Sequence, residues 1–225
     1  MKTIGMLVAV EIEAVLSRYG MATGREERWG FEVLSYESEE YRLFVVHSGV
    51  GELAAAAATQ LLIDRYQVDF VVNFGVVGGL CPEMKQAHAC VVEKVVHYDF
   101  DISGIDPVAP GQYPGYEDAF IPAEPWLVER AVALAPELER VTCASADKFV
   151  NSPAAKAALH ERYGAQICEM EAAAVLLTCR RCGVPCLMIK TVADSIEGGA
   201  DEYYSELQRS SALCLELTDR IIREL

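Results

Sequence analysis

Five carboxylates stand out because each follows a strand-like run: Glu11 and Glu13 after the first, Glu169 and Glu171 after the sixth, and Asp194 after the seventh. In open α/β sheets the carboxyl ends of the strands form the ligand crevice, so acids far apart in sequence meet there. Acids gathered in that way are the raw material of proton-transfer catalysis. They also have a plainer use, because a helix N-terminus attracts negative charge. For Glu11 alone the plainer use is preferred. For Glu171, which precedes Ala172-Ala173-Ala174-Val175, the two uses are evenly balanced until its neighbours are considered.

The elements that must position these acids are legible as apolar, β-branched runs: Ile4 to Val10, Leu43 to His47, Phe70 to Phe74, Cys90 to Val96, Val141 to Ser145, Gln166 to Cys168 and Cys186 to Val192. Several are apolar throughout and do not alternate, the pattern of strands covered on both faces. Helical patterns lie between them: Leu53 to Tyr66, Pro125 to Ala135, Pro153 to Tyr163, Ala172 to Cys182 and Asp201 to Leu225. This alternation predicts a single-domain α/β sandwich of three layers over residues 1–225. Phe31 to Val46 reads as a hairpin turning at Glu37 to Glu40, which makes the central sheet mixed. Asp101 to Pro122, rich in Gly and Pro and without periodicity, is too long for a plain connector and reads as a functional or interface loop.

Charge and composition exclude several functions. With 19 basic residues against 34 acidic ones, the formal charge of -15 repels polyanions, so nucleic-acid polymers and anionic membranes are not expected partners. No apolar stretch reaches the roughly 18 uninterrupted residues that span a bilayer. Glu11 and Glu13 cut short the only early apolar run, so no secretory segment is visible, and the eight cysteines are expected to be reduced in a cytoplasmic protein. Cys179-Arg180-Arg181-Cys182 has no second pair at zinc-site spacing, so neither a metal nor another cofactor is expected. Gly49-Val50-Gly51-Glu52-Leu53-Ala54 formally matches a dinucleotide fingerprint, but the next strand ends in Asn73-Phe74-Gly75 and lacks the acid that holds a ribose. No nucleophile elbow occurs, which disfavours a serine-hydrolase triad.

An ordered set of short segments carries more. Ser48-Gly49-Val50-Gly51, Asn73-Phe74-Gly75 with Gly78-Gly79-Leu80, Asp99-Phe100-Asp101, Pro110-Gly111-Gln112-Tyr113-Pro114-Gly115, Ser145-Ala146-Asp147-Lys148-Phe149-Val150, Glu169-Met170-Glu171-Ala172-Ala173-Ala174 and Ala193-Asp194-Ser195 follow one another along the chain. Together they resemble the 5'-methylthioadenosine/S-adenosylhomocysteine nucleosidases of the nucleoside phosphorylase superfamily. The resemblance implies that superfamily's fold and hydrolysis of the N-glycosidic bond of a purine nucleoside, with release of adenine. It places the leaving-group acid on Asp194, which must stay protonated to donate to purine N7, and the base that activates water on Glu13. Such a pair on opposite sides of an oxocarbenium-like state parallels inverting glycosidases. The resemblance further implies that Glu171 grips the ribose hydroxyls, with Glu169 beside it. Met170 packs on the sugar, Phe149 stacks on the base and the Val150 backbone meets the base edge. By the same resemblance Val10, Val50 and Tyr204 are expected to line the 5' pocket, with Lys190 near the site. A homodimer in which the neighbour completes the pocket is implied as well.

The departures bear on substrate. Val76 stands where the family has a serine, and Lys190 where it has an arginine, so a planar fork is lost although its charge is kept. Gly104, Ile105 and Asp106 replace bulky aromatics, and His97-Tyr98 reverses the usual order. Phosphorolysis would need a cage of cationic donors. Neither the Ser48 to Gly51 loop nor the Asn73 to Leu80 loop contains Arg or Lys, which favours hydrolysis. Futalosine hydrolysis and nucleoside binding without turnover are the other readings, the latter opposed by the presence of both an acid and a base.

Overall fold

In the computed structural model, which describes residues 1–225, strands that are apolar on both sides are covered on both sides. The strands are β1 (Lys2–Val8), β2 (Gly24–Arg28), β3 (Phe31–Glu37), β4 (Tyr41–His47), β5 (Phe70–Gly79), β6 (Ala89–His97), β7 (Phe120–Pro122), β8 (Glu139–Ser145), β9 (Ile167–Glu169) and β10 (Cys186–Asp194). The helices are α1 (Ile12–Tyr19), α2 (Glu52–Tyr66), α3 (Pro125–Leu134), α4 (Pro153–Tyr163), α5 (Ala172–Cys182) and α6 (Ala200–Glu224). Alternate residues of β1 show the layering. Ile4, Met6 and Val8 enter a cluster that includes α3 and α6 side chains, whereas Leu7 enters a second cluster with α2 and α5. Each cluster holds 27 buried residues, so neither face of the sheet is solvated.

All ten strands belong to one mixed sheet, ordered β10-β6-β8-β9-β5-β1-β4-β3-β2, with β7 on β6. The additional pairing of β10 with β5 joins the end of that order to its middle. β5, β9, β8, β6 and β10 thereby close into a ring, with β1, β4, β3 and β2 as an extension. The sequence reading expects the sandwich and the mixed sheet but not this closure. Strand patterns report burial, not which strand returns to which.

The central array is parallel where it matters for the site. β5 lies between β1 and β10 and runs parallel to both, so the chain leaves β1 and β10 at the same edge. β3 and β4 form the expected antiparallel hairpin. Three elements are absent from the sequence reading: α1, only eight residues long, the charged edge strand β2, and the three-residue β7. β1 also ends two residues earlier than the apolar run suggests, with a bend at Ala9 and Val10. That bend aims the next residue back over the sheet. No helix is long and apolar enough to cross a membrane. All eight cysteines are free, and only Cys182 is exposed.

Candidate active site

At the shared edge of β1, β5, β9 and β10 a pocket is lined by four carboxylates, Glu11, Glu169, Glu171 and Asp194. Its walls include Val10, Val50, Val76, Phe149, Met170 and Tyr203, and its lining contains no Lys or Arg. Of the eleven residues singled out from the sequence for a functional role, seven lie in this lining: Val10, Val50, Phe149, Glu169, Met170, Glu171 and Asp194. The other four, Glu13, Val150, Lys190 and Tyr204, do not line it.

Of the two acids after β1, Glu11 lines the pocket and Glu13 does not. Glu13 sits in the first turn of α1 and is exposed, so it is the acid that favours the helix N-terminus. Glu11 holds the N-cap position but makes no capping bond to its own helix. Its carboxylate, 5% exposed, accepts from the Val76 N–H at 2.8 Å and the Val10 N–H at 3.0 Å. The close approach needs Gly75, because a Cβ there would lie 2.8 Å from Glu11 Oε1. A carboxylate offers about four acceptor sites, so two backbone bonds fix Glu11 and leave capacity for a water. The bend after β1 and the glycine at the facing position of β5 were the available signals.

Glu171 is the N-cap of α5 and reaches across to the Gly51 N–H at 2.8 Å. Gly51 has φ of 103°, a conformation costly for other residues, and a Cβ there would crowd Asp147. Burial, and then the like charge of Glu169, push the Glu171 carboxyl up to about 7. Glu169 accepts from the N–H groups of Glu171 and Ala172 at the start of α5. Behind it Lys190 is fully enclosed, donating to Asn73 Oδ1 at 2.7 Å and pairing with Glu169 Oε2 at 3.3 Å. Burial opposes the Lys190 charge, but Glu169 and the other acids outweigh it and hold its pKa above the ordinary lysine value. Lys190 is thus a counter-ion behind the pocket wall, not part of the lining.

Glu52, at the start of α2, supports this wall. It accepts from Ser145 Oγ at 2.6 Å and from the Ala174 N–H, while its own N–H donates to Asp147. Burial and then the Glu169 charge push its carboxyl up to about 8. Sequence reasoning meets Glu52 only inside a rejected dinucleotide fingerprint and misses this brace.

Asp194 is 1% exposed and its Oδ1 has no hydrogen-bond partner, whereas Oδ2 is paired with Lys156 of α4. Burial raises the Asp194 pKa, opposed by Lys156. Phe149 and Tyr203 meet edge to face with ring centroids 5.6 Å apart. Tyr204, the residue expected here, is 73% exposed because one helical step turns it away. Val150 turns its side chain into a small cluster with Leu80 and Ala165, behind Phe149. Lys156 escapes sequence reasoning entirely, since a lysine among alanines in a helix ordinarily faces water.

The deciding comparison concerns the whole chain. A family model described as the phosphorylase superfamily matches residues 3–225. A 5'-methylthioadenosine/S-adenosylhomocysteine nucleosidase of Geobacillus thermodenitrificans is 32% identical over 198 residues, covering 83% of this chain and 81% of its own. The chain belongs to that nucleosidase family of the phosphorylase superfamily. A Bacillus pumilus relative of the same name is 29% identical over 98% of this chain and 96% of its own. Among solved structures, the Neisseria meningitidis nucleosidase in complex with methylthio-immucillin-A superposes with a TM-score of 0.91 at 27% identity, covering all of both chains. A Helicobacter pylori futalosine hydrolase mutant superposes at 0.93 and 25% identity, again over both whole chains.

Two expectations follow. Glu11→Gln should lower nucleoside turnover by at least about a hundred-fold, the scale of a lost general base, while the exposed Glu13→Gln stays within about three-fold of the parent. Steady-state release of free base measures both, and the reverse ranking would return the role to Glu13. The second concerns pH. A carboxyl whose folded pKa is raised stabilises the fold below its unfolded value, near 4.5, and loses that contribution as pH rises through the folded value. Glu52→Gln, which imitates the protonated acid, should therefore match the parent in Tm at pH 5 and exceed it at pH 8. Each kcal/mol involved shifts Tm by about 2–4 °C in a chain of this size. A difference that shrinks between pH 5 and 8 in a thermal melt would refute the Glu52 assignment.

Proposed function

We propose that this chain hydrolyses the N-glycosidic bond of an adenine nucleoside carrying an apolar 5' group, 5'-methylthioadenosine or S-adenosylhomocysteine. The observation that carries the reading is the pocket lining: four carboxylates, an aromatic pair and no cation. A purine is a poor leaving group as an anion, and a proton delivered to N7 removes that difficulty. Asp194 supplies the proton from its free Oδ1. Glu11 takes a proton from water as that water reaches the sugar carbon. Glu11 rests on Val76 and Asp194 beside Gly78, so the two flank β5 roughly two residues, or about 7 Å, apart along the strand, which leaves room for the sugar. Glu171 accepts from the ribose hydroxyls, Met170 packs on the ring, and Phe149, braced edge-on by Tyr203, stacks on the flat base.

Phosphorolysis fits this lining poorly, because an incoming phosphate would face acids with both nearby lysines already paired to carboxylates. Superposition on futalosine hydrolase is as close as that on the methylthioadenosine enzymes, so futalosine belongs in the same assay. Dialysed enzyme should release adenine from 5'-methylthioadenosine at the same rate with and without phosphate, leaving the sugar unphosphorylated. A phosphate requirement or a sugar 1-phosphate product would overturn hydrolysis, and preference for a futalosine would move the substrate.

The active unit is a homodimer in this reading. A concavity of about 1370 Å³ lies over α2 and α5, next to the pocket, lined by Leu53, Ala56, Tyr113, Leu177 and Arg180. Leu53 is 86% exposed and only three residues from pocket residue Val50, an arrangement suited to burial by a second copy. The loop expected to serve an interface packs at its rim, with Phe100 stacked on Tyr113 at 3.9 Å. Free thiols suit the reducing cytoplasm. Sedimentation should give twice the chain mass, and Leu53→Glu should halve it with loss of turnover. A monomeric but fully active parent would defeat the dimer.

A further inference from the structure

We propose that Lys156 is a positioning residue for the leaving-group acid, fixing the proton of Asp194 on the one oxygen that faces the pocket. The inference rests on the nucleosidase reading above. Lys156 is wholly buried in the first turns of α4. Its Nζ lies 2.5 Å from Asp194 Oδ2, 2.5 Å from the Ser195 carbonyl and 3.1 Å from the Gly198 carbonyl. An ammonium has three donors and no acceptor, so all three are used.

The geometry has a directional consequence. A proton placed on Oδ2 would point a donor at a donor. When Asp194 is protonated the hydrogen therefore resides on Oδ1, the atom left without a partner and bordering the pocket. As the base departs, the Oδ1–H bond breaks, an N7–H bond forms, and the glycosidic electron pair passes to the purine. Lys156 keeps its three protons throughout. The carboxylate that develops on Asp194 then stands against a fixed positive charge, an interaction stronger in the transition state than before it. Burial of a lysine is costly unless paired, and the packing around α4 could be met by an apolar side chain, so the charge is retained for Asp194. The other titratable groups around Asp194 are Cys168 of β9 and Glu202 and Tyr203 of α6. Of the groups around Asp194, only Lys156 is cationic.

The test compares Lys156→Met and Lys156→Arg with the parent in kcat and KM for 5'-methylthioadenosine across pH. Lys156→Met should lose at least about ten-fold in kcat with KM within about three-fold. Its alkaline limb should move upward by about one pH unit or more, since Asp194 without its partner holds its proton to higher pH. Lys156→Arg should recover most of the rate and restore the limb. Parental kcat and an unmoved limb in Lys156→Met, or a loss confined to thermal stability, would overturn the proposal. Should Lys156→Met not fold, the parent still decides by 15N NMR. A slowly exchanging Lys156 ammonium whose Nζ shift follows the Asp194 titration is expected, and an ammonium that exchanges freely would refute the pairing. That measurement uses no substrate. A parent that releases no base from any nucleoside would instead refute the nucleosidase reading, a failure visible before any variant is made.

Discussion

Around one edge of the sheet five carboxylates, those of Glu11, Glu52, Glu169, Glu171 and Asp194, are buried with only two buried ammonium groups. That imbalance governs the architecture of the site. Each acid left without a cation must be held by backbone N–H groups or carry its own proton. Glu11 takes the first course on β5, and Glu169 is served both by the start of α5 and by Lys190. Glu52 and Glu171, with pKa values pushed up by burial and by Glu169, take the second in part. Pairs of carboxyl groups whose environments drive them apart are what acid and base catalysis requires, so the cost of burying them and the capacity for chemistry have one origin.

The parallel run of β1, β5 and β10 turns that electrostatic problem into a placed site. Parallel neighbours end at the same edge, and each chain exit contributes one acid: Glu11 after β1 and Asp194 at the end of β10. β5 contributes space instead of charge, through Gly75 under Glu11 and Gly78 beside Asp194. A side chain at either position would push the acid away. The two lysines stand behind these acids, one from β10 and one from α4, so positive charge shapes the pocket without entering it.

Much of this was legible in the sequence, and the exceptions have physical causes. The doubly covered strands and α4 and α5 were readable because burial and caps leave patterns; the latter two match residue for residue. That Glu171, Met170, Phe149 and Asp194 gather in one pocket was readable through the ordered resemblance. Glu11 and Glu13, two residues apart, could not be separated by type. The choice depends on where β1 bends, which is a matter of backbone direction. Tyr203 and Tyr204 are adjacent and chemically identical, and only the phase of α6 divides them. Lys156 left no trace because its partner is 38 residues away and pairing of that kind has no period.

The closure of β10 onto β5 has a bearing on solubility. A sheet ordinarily exposes two edges, and each is a template for pairing with another chain. Here one end of the strand order is consumed by the ring, and β7, which flanks it, offers only three residues. The remaining edge is β2, whose sequence Gly24-Arg25-Glu26-Glu27-Arg28 carries four charges in succession. An approaching strand would have to bury those charges against its own backbone. The segment with the least apparent signal of structure thus guards the molecule against polymerising through its own sheet.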